Sequence, residues 1–409
     1  MARNSGGQNW TERGERTRAI HAGEVPDSAT GASSPNITMS STFVTEGPAG
    51  FSAHDLTDES PYLYGRWSNP TVRMLERKMA ALEGTEAAVC FASGMGAMAA
   101  IFFSTLSSGD HLLVSDVSYA GVAELARETL PRMGVEVSTV DFSDLDAVKN
   151  AIRPNTKLLH SEMPVNPILR LVDLQALSDV AHEAGALHSF DATFASPIGL
   201  RPSQFGVDLV MHSLTKYVGG HGDALGGSVA GSTAHIKRLV VEAALHYGGI
   251  ISPFNAWLIA RGAATLPLRM RAHQETAMAV SNYLEEHAKV ERVIYPGLPS
   301  HPQYDLAQRQ MNNYSGMVSF QLKGGAEAGL KAAERMAQRL DVIHYAVSLG
   351  HHRSLIFWMP TDDLMESSFK LTGSALESYR SLAGEGIFRF SVGLEDAEDL
   401  IADLDAIFA

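Results

Sequence analysis

Cysteine is almost absent from this 409-residue chain, Cys90 being the only one. An intramolecular disulfide framework is therefore excluded, and a reducing compartment fits. Within the apolar stretch AVCFASG, Cys90 reads as a small buried hydrophobe. Basic residues are also in deficit, with 32 Lys and Arg against 46 Asp and Glu and a formal net charge of −14. A protein that grips phosphate backbones needs a basic stripe, so nucleic acid is not an expected partner. A small anionic ligand is not excluded, because a local cluster of amides and one or two cations binds phosphate against the global sign. Long apolar runs are missing as well. The nearest approach to a membrane span, residues 87–106, is interrupted by Ser93, Gly94, Gly96, Ser104 and Thr105. It reads as strand, turn and helix, and no membrane partner is expected. The first eighteen residues, MARNSGGQNWTERGERTR, lack the apolar core and small-residue cleavage site of a secretory signal. The expected location is the cytoplasm.

What is present describes a globular protein of several domains. The chain is too long for one ordinary core, and 45% apolar with 19% charged residues fits neither disorder nor fibre. Residues 1–65 are rich in Ser, Thr, Gly, Pro and Asp with little periodicity and read as an extended arm. Across 66–266, apolar runs (HLLVSD, VEVSTVDF, TKLLHSE, GALHSFDA, VDLVMHS, GGSVAGS) alternate with amphipathic helical patterns. That alternation predicts an α/β domain with a largely parallel sheet covered by helices. Helices are expected in NPTVRMLERKMAALEG, with Pro70 just inside its start and Gly84 past its end, and in DLQALSDVAHEAG, capped by Asp173 and stopped by Gly185. Residues 267–409 read as a smaller α+β domain. No internal repeat is evident.

Three segments carry chemistry. In SLTKYVGGHGDALGGSVAGS, Lys216 follows an apolar strand, beside Ser213 and Thr215 and ahead of a glycine-rich run. Burial or a neighbouring cation brings a lysine amine from its ordinary pKa of ~10.4 toward ~7–8, where it attacks aldehydes to form a Schiff base. Taken alone, the segment fits a solvated turn lysine equally well. In VCFASGMGAMAA an apolar strand runs through Ser93, Gly94, Met95 and Gly96 into an alanine-rich helix, whose first amides form an anion site. A glycine turn kept for packing is the alternative. In GALHSFDATFASP, Asp191 stands at the carboxyl end of a strand, where open α/β sheets place their ligands. A carboxylate there suits the protonated nitrogen of a pyridine ring, unless it merely caps a turn.

The ordered set TRAIHAG, YGRWSNPT, LEGTEAAVCFASGMGA, MPVNP, DATFASP, HSLTKYVGGHGD, YPGLPSHPQ and FRFSVGLED runs through nearly the whole chain. It resembles the Cys/Met-metabolism (trans-sulfuration) family of fold-type I enzymes that depend on pyridoxal 5′-phosphate (PLP), most of all its methionine γ-lyase and cystathionine γ-synthase-like members. The resemblance implies a seven-stranded, mostly parallel sheet in the large domain. It makes Lys216 the Schiff-base lysine and proton carrier, and Asp191 the partner of the pyridine nitrogen. Ser213, Thr215, Gly94 and Met95 would hold the phosphate. Tyr119 would stack on the ring and assist acid–base work. Tyr64 and Arg66 would reach the phosphate of the neighbouring subunit, implying a homodimer with shared active sites that pairs into a homotetramer. Arg389 would grip the substrate α-carboxylate with help from Ser348 and Asn166.

The implied reaction is γ-elimination on L-methionine or a close sulfur analogue, giving 2-oxobutanoate, ammonia and a thiol. A γ-replacement synthase using an O-acylhomoserine and a thiol is the alternative, and a non-catalytic PLP-binding protein a more remote one. Three departures bear on the substrate. Tyr119 is followed by Ala120 and Gly121 rather than by the cysteine of methionine γ-lyases. Val347 stands where cystathionine-handling relatives carry a glutamate. The segment HHRSLIFWMPTDDLMESSF brings Trp358, Asp362 and Asp363 into the expected substrate-access region, either as a new pocket or as remodelled surface. His351 and His352 are adjacent and point apart in a strand, so no metal site is expected. The purified protein is expected to be yellow, and Lys216→Ala to lose the visible absorption of lysine-bound cofactor; an unchanged spectrum would refute the assignment of that lysine.

Overall fold

The computed structural model describes residues 10–47 and 60–408. Parts of the expected arm, residues 1–9 and 48–59, lie outside the described residues. The chain divides into two compact units, one of residues 1–106 with 201–267 and the other of 107–200 with 268–409. Among the described residues no helix is long and apolar enough to cross a membrane.

The larger sheet has seven strands: β1 (Ala87–Phe91), β2 (His111–Ser115), β3 (Glu136–Val140), β4 (Thr156–Glu162), β5 (Leu187–Asp191), β6 (Leu209–Ser213) and β7 (Gly227–Gly231). In the first unit β7 pairs antiparallel with both β1 and β6. In the second unit β3, β2, β4 and β5 pair parallel in that spatial order. β2 and all of β4 but Lys157 are buried, as parallel strands under helices are. The 87–106 stretch is the expected strand, turn and helix, with β1 leading into a helix over Gly94–Thr105.

Local sequence explains the helix ends. Asn69 caps the helix Pro70–Glu83, its side chain accepting from Thr71 N at 2.9 Å and Val72 N at 3.3 Å, and Gly84 closes it at φ +73°. Such a cap contributes about 1 kcal/mol, and an L side chain at a left-handed stop would be strained. Asp173 caps the helix Leu174–Glu183 that joins β4 to β5, accepting from Ala176 N at 3.1 Å.

The second unit also holds a five-stranded sheet, in the order β10-β11-β12-β9-β8, with β8 at Val290–Ile294, β9 at Met317–Leu322, β10 at His344–Tyr345, β11 at Leu355–Pro360 and β12 at Gly386–Ser391. Phe320, Phe388, Phe390, Tyr295, Leu404 and Phe408 fill its core, with the Phe320 and Phe388 rings stacked at 5.1 Å between centroids. Trp358 belongs here. It is 5% exposed, lies 4.8 Å from the Phe388 ring, and is clamped by two glycines. A Cβ on Gly329 would come within 2.3 Å of the indole, and one on Gly386 within 2.4 Å. The residue expected in a substrate-access region is therefore an interior packing residue. Gly329→Ala is expected to destabilise the protein by about 1–3 kcal/mol through overpacking, with Trp358→Phe in the same chain recovering part of the loss; thermal melts of the single and double variants check both.

Candidate active site

The first unit carries the residues expected around a phosphate. The Gly94–Thr105 helix starts at Ser93, whose hydroxyl accepts from Gly96 N at 3.0 Å. The first amides of a helix have no partner within it, which leaves those of Gly94 and Met95 at the positive end. Ser213, the last residue of β6, is brought against this turn: a Cβ on Gly94 would lie 2.8 Å from the Ser213 Cβ and 2.9 Å from its Oγ. Gly227 on β7 lets the turn lie on its backbone, since a Cβ there would meet the Ser93 carbonyl oxygen at 2.2 Å. Thr215 Oγ1 accepts from Gly226 N at 3.1 Å and donates to Gly226 O at 3.3 Å, tying the lysine loop to the glycine-rich run.

Lys216 is half-buried in the turn after β6. Its amide donates to Ser213 O at 3.1 Å and its carbonyl accepts from Gly220 N at 2.8 Å. Below it, His212 Nε2 pairs with the Glu83 carboxyl, both side chains almost wholly buried. That pair ties the strand bearing the lysine turn to the end of the helix Pro70–Glu83. Tyr64 and Arg66 form a local stack, with the guanidinium carbon 5.5 Å from the ring centroid and Nη1 donating to Leu245 O.

The second unit carries the residues expected around the pyridine nitrogen and the amino-acid substrate. Asp191 ends β5 in a buried position, where Oδ1 accepts from Thr193 N at 2.9 Å. Arg389 on β12 donates from Nη1 to Asn166 Oδ1 at 3.1 Å and from Nη2 to the Ser348 carbonyl at 3.2 Å. Residues 166, 348 and 389, far apart in sequence, thus meet at one guanidinium. Ser348 holds φ +95°, a strained value for a residue with a side chain, and its backbone oxygen reaches Arg389. The Ser348 hydroxyl lies 3.3 Å from His351 Nε2. Tyr119 is 48% exposed at the start of the helix Ala120–Glu124.

Sequence reasoning passed over two buried ionisable groups here. Glu162 ends β4 beside Asp191. Burial first, and the Asp191 charge second, push its carboxyl up to about 8, while hydrogen bonds from Asn166 N and Tyr119 N oppose the shift. The signal was available: Glu162 stands at the carboxyl end of a parallel strand, as Asp191 does. Arg170 is buried between Asp116, which its Nη2 contacts, and Asp141 at 2.7 Å from Nη1. Asp116 Oδ1 also accepts from Val117 N at 2.8 Å, fixing the backbone that leads to Tyr119. No local pattern identifies that triad, whose members come from three loops.

The divergent segment packs on the Tyr119 turn. Phe369 and Leu371 cluster with Val117, Val165 and Ile168. Ser368 Oγ donates to Glu124 Oε1 at 2.8 Å, and Arg127 donates to the carbonyls of Ser367 and Ser368. Asp362 and Asp363 lie on the surface, Asp362 pairing with Arg380 at 2.7 Å.

Residues 16–409 match the family described as Cys/Met metabolism PLP-dependent enzymes. The chain is similar to a canavanine γ-lyase of Pseudomonas canavaninivorans, with 43% identity over 98% of this chain and 97% of that protein. It is similar to an L-methionine γ-lyase of Fusobacterium nucleatum subsp. nucleatum, with 39% identity over 95% and 96% of the two chains. In structure it is similar to metB from Corynebacterium glutamicum, with a TM-score of 0.88, 34% identity and coverage of 98% and 99%. The contact between the Gly94 turn and Ser213 fits a phosphate cradle. Gly94→Ala displaces Ser213 and is expected to weaken pyridoxal phosphate binding about 10-fold, the cost of one or two lost hydrogen bonds. Titrating cofactor-free protein with the cofactor measures this, and unchanged affinity would dismiss the cradle.

Proposed function

The chain belongs to the Cys/Met metabolism PLP-dependent enzyme family, and from that premise we propose that it is a γ-lyase for an L-amino acid bearing a heteroatom on Cγ. Its cofactor is pyridoxal phosphate and its substrate a small amino acid. The arrangement that carries this reading is Arg389 braced by Asn166 and the Ser348 carbonyl. A braced guanidinium presents its planar donors to a carboxylate in one orientation.

Pyridoxal phosphate, when bound, supplies an aldehyde for the substrate amine and an electron sink for charge developing on the substrate carbons. Arg389 holds the α-carboxylate and so fixes which Cα bond is broken. Lys216 Nζ takes the Cα proton and moves it along the substrate. Asp191 holds the proton on the ring nitrogen, and the Gly94 and Met95 amides with Ser213 and Thr215 hold the phosphate. The Tyr119 hydroxyl serves the leaving group on Cγ.

The preferred substrate in this reading is canavanine, whose Cγ–O bond would break to release hydroxyguanidine. Similarity to a protein named canavanine γ-lyase over almost the whole of both chains supports it. Gly121, where methionine γ-lyases carry cysteine, points away from methionine. Exposed Val347 offers no charge to the distal ammonium of cystathionine. Methionine is the second reading, on the likeness to an L-methionine γ-lyase.

The active form in this proposal is a cytoplasmic homodimer, paired into a tetramer, in which Tyr64 and Arg66 serve the neighbouring site. The exposure of Met39 (67%), Val44 (101%), Leu225 (59%) and Tyr247 (64%) in the first unit supports an apolar contact there. The arm (1–65), cofactor domain (66–266) and C-terminal domain (267–409) are the divisions we assign, the last supported by a unit boundary after Pro267.

Incubation with canavanine alone is expected to release hydroxyguanidine, with kcat/KM at least about 10-fold above that for methionine, the discrimination one lost polar contact provides. Faster release of methanethiol and 2-oxobutanoate from methionine would select the second reading. Turnover only with an O-acylhomoserine plus a thiol would reject the lyase.

A further inference from the structure

Glu162 and Asp191 are register partners at the final positions of β4 and β5. Neighbouring strands lie ~4.8 Å apart, so two carboxyl groups share one small region of the sheet edge. The Glu162 residue is 5% exposed, yet both its oxygens are engaged by backbone amides of residues given roles above. Oε2 accepts from Tyr119 N and Oε1 from Asn166 N, each at 2.7 Å. Asn166 Oδ1 in turn accepts from Arg389 Nη1 at 3.1 Å.

A buried carboxyl beside another carboxyl is unfavourable, and an apolar side chain of similar volume would fill the space at less cost. What an apolar residue lacks is the pair of acceptor oxygens. Those oxygens join two segments more than forty residues apart, one leading to the leaving-group tyrosine and one to the carboxylate-binding arginine. The geometry points to Glu162 as the positioning residue of the substrate end: it holds the Tyr119 turn and the Asn166–Arg389 pair in fixed mutual placement. This rests on the reading of Arg389 and Tyr119 given above. Glu162 acts through those residues and not on the reacting atoms.

The test uses holoenzyme and L-norleucine, which has no leaving group on Cγ and so does not depend on the identity of the substrate. Amino-acid affinity is read from the change in visible cofactor absorption, and Cα–H exchange into heavy water by proton NMR. Glu162→Gln replaces one acceptor oxygen with an amide that opposes a backbone N–H. It is expected to retain cofactor absorption and to weaken L-norleucine affinity about 10-fold, the effect of one lost hydrogen bond. Exchange at saturation slows because the Tyr119 turn is released. In an Asn166→Ala background the affinity term is already lost, so adding Glu162→Gln changes affinity less than about 2-fold while exchange still slows.

An equal affinity loss in both backgrounds, or a lower melting temperature with affinity and exchange unchanged, would overturn the proposal. Absence of L-norleucine exchange in the wild type would instead overturn the reading of the site on which it rests. Should Glu162→Gln fail to accumulate as holoenzyme, Glu162→Asp keeps the carboxyl group, reaches only one of the two amides, and carries the same expectations.

Discussion

An ionisable side chain removed from water must be met by opposite charge or hydrogen bonds, and the candidate site answers that demand repeatedly. Three buried groups and the half-buried Arg389 illustrate it. Glu162 is met by two amides, Arg170 by two aspartates, Glu83 by His212, and Arg389 by an amide oxygen and a backbone carbonyl. Each solution ties together segments remote in sequence. Polar groups withdrawn from water thereby become the fasteners of loops remote in sequence. Rotating any one of these side chains away would leave a polar group without its partner, so each loop has a strong reason to keep a single placement.

The frame of this arrangement was legible in the sequence because it depends on short-range patterns. Alternation of apolar runs with amphipathic helices gave the parallel strands of the second unit. Asn69, Gly84 and Asp173 marked helix ends by local hydrogen bonding and backbone sterics. Lys216, Asp191 and the Gly94 turn stood out because each sits at a strand end beside glycine or hydroxyl residues. The pairing of β7 against both β1 and β6 was not legible, since strand direction depends on where the chain returns and the run GGSVAGS has no bias of its own.

The partners of the buried charges were legible only in part. Glu162 carried the same strand-end signal as Asp191, at the end of the run TKLLHSE and directly before MPVNP. The Asp116–Arg170–Asp141 triad has no sequence signature, because side chains from three loops find one another only after the sheet has formed. Trp358 and the aspartates after it were left open between a new pocket and remodelled surface for a different reason. A segment that departs from the expected pattern invites a functional reading, yet Trp358 lies in the core and Asp362 and Asp363 on the surface. The apolar end of that segment, Phe369, packs with Leu371 just beyond it against the turn before Tyr119 and the loop that holds Asn166.

The placement of Trp358 gives the second unit its own optical reporter. Of the four tryptophans in the chain, Trp10, Trp67 and Trp257 lie in the first unit, leaving Trp358 alone in the second. An indole clamped by Gly329 and Gly386 and packed against Phe388 emits as a shielded fluorophore until its own core opens. Red-shifted emission from a chain whose other tryptophans have been replaced would therefore time the loss of the β8–β12 core separately from that of the lysine-bearing unit. A packing decision forced by two glycines thus makes the order in which the units come apart directly observable.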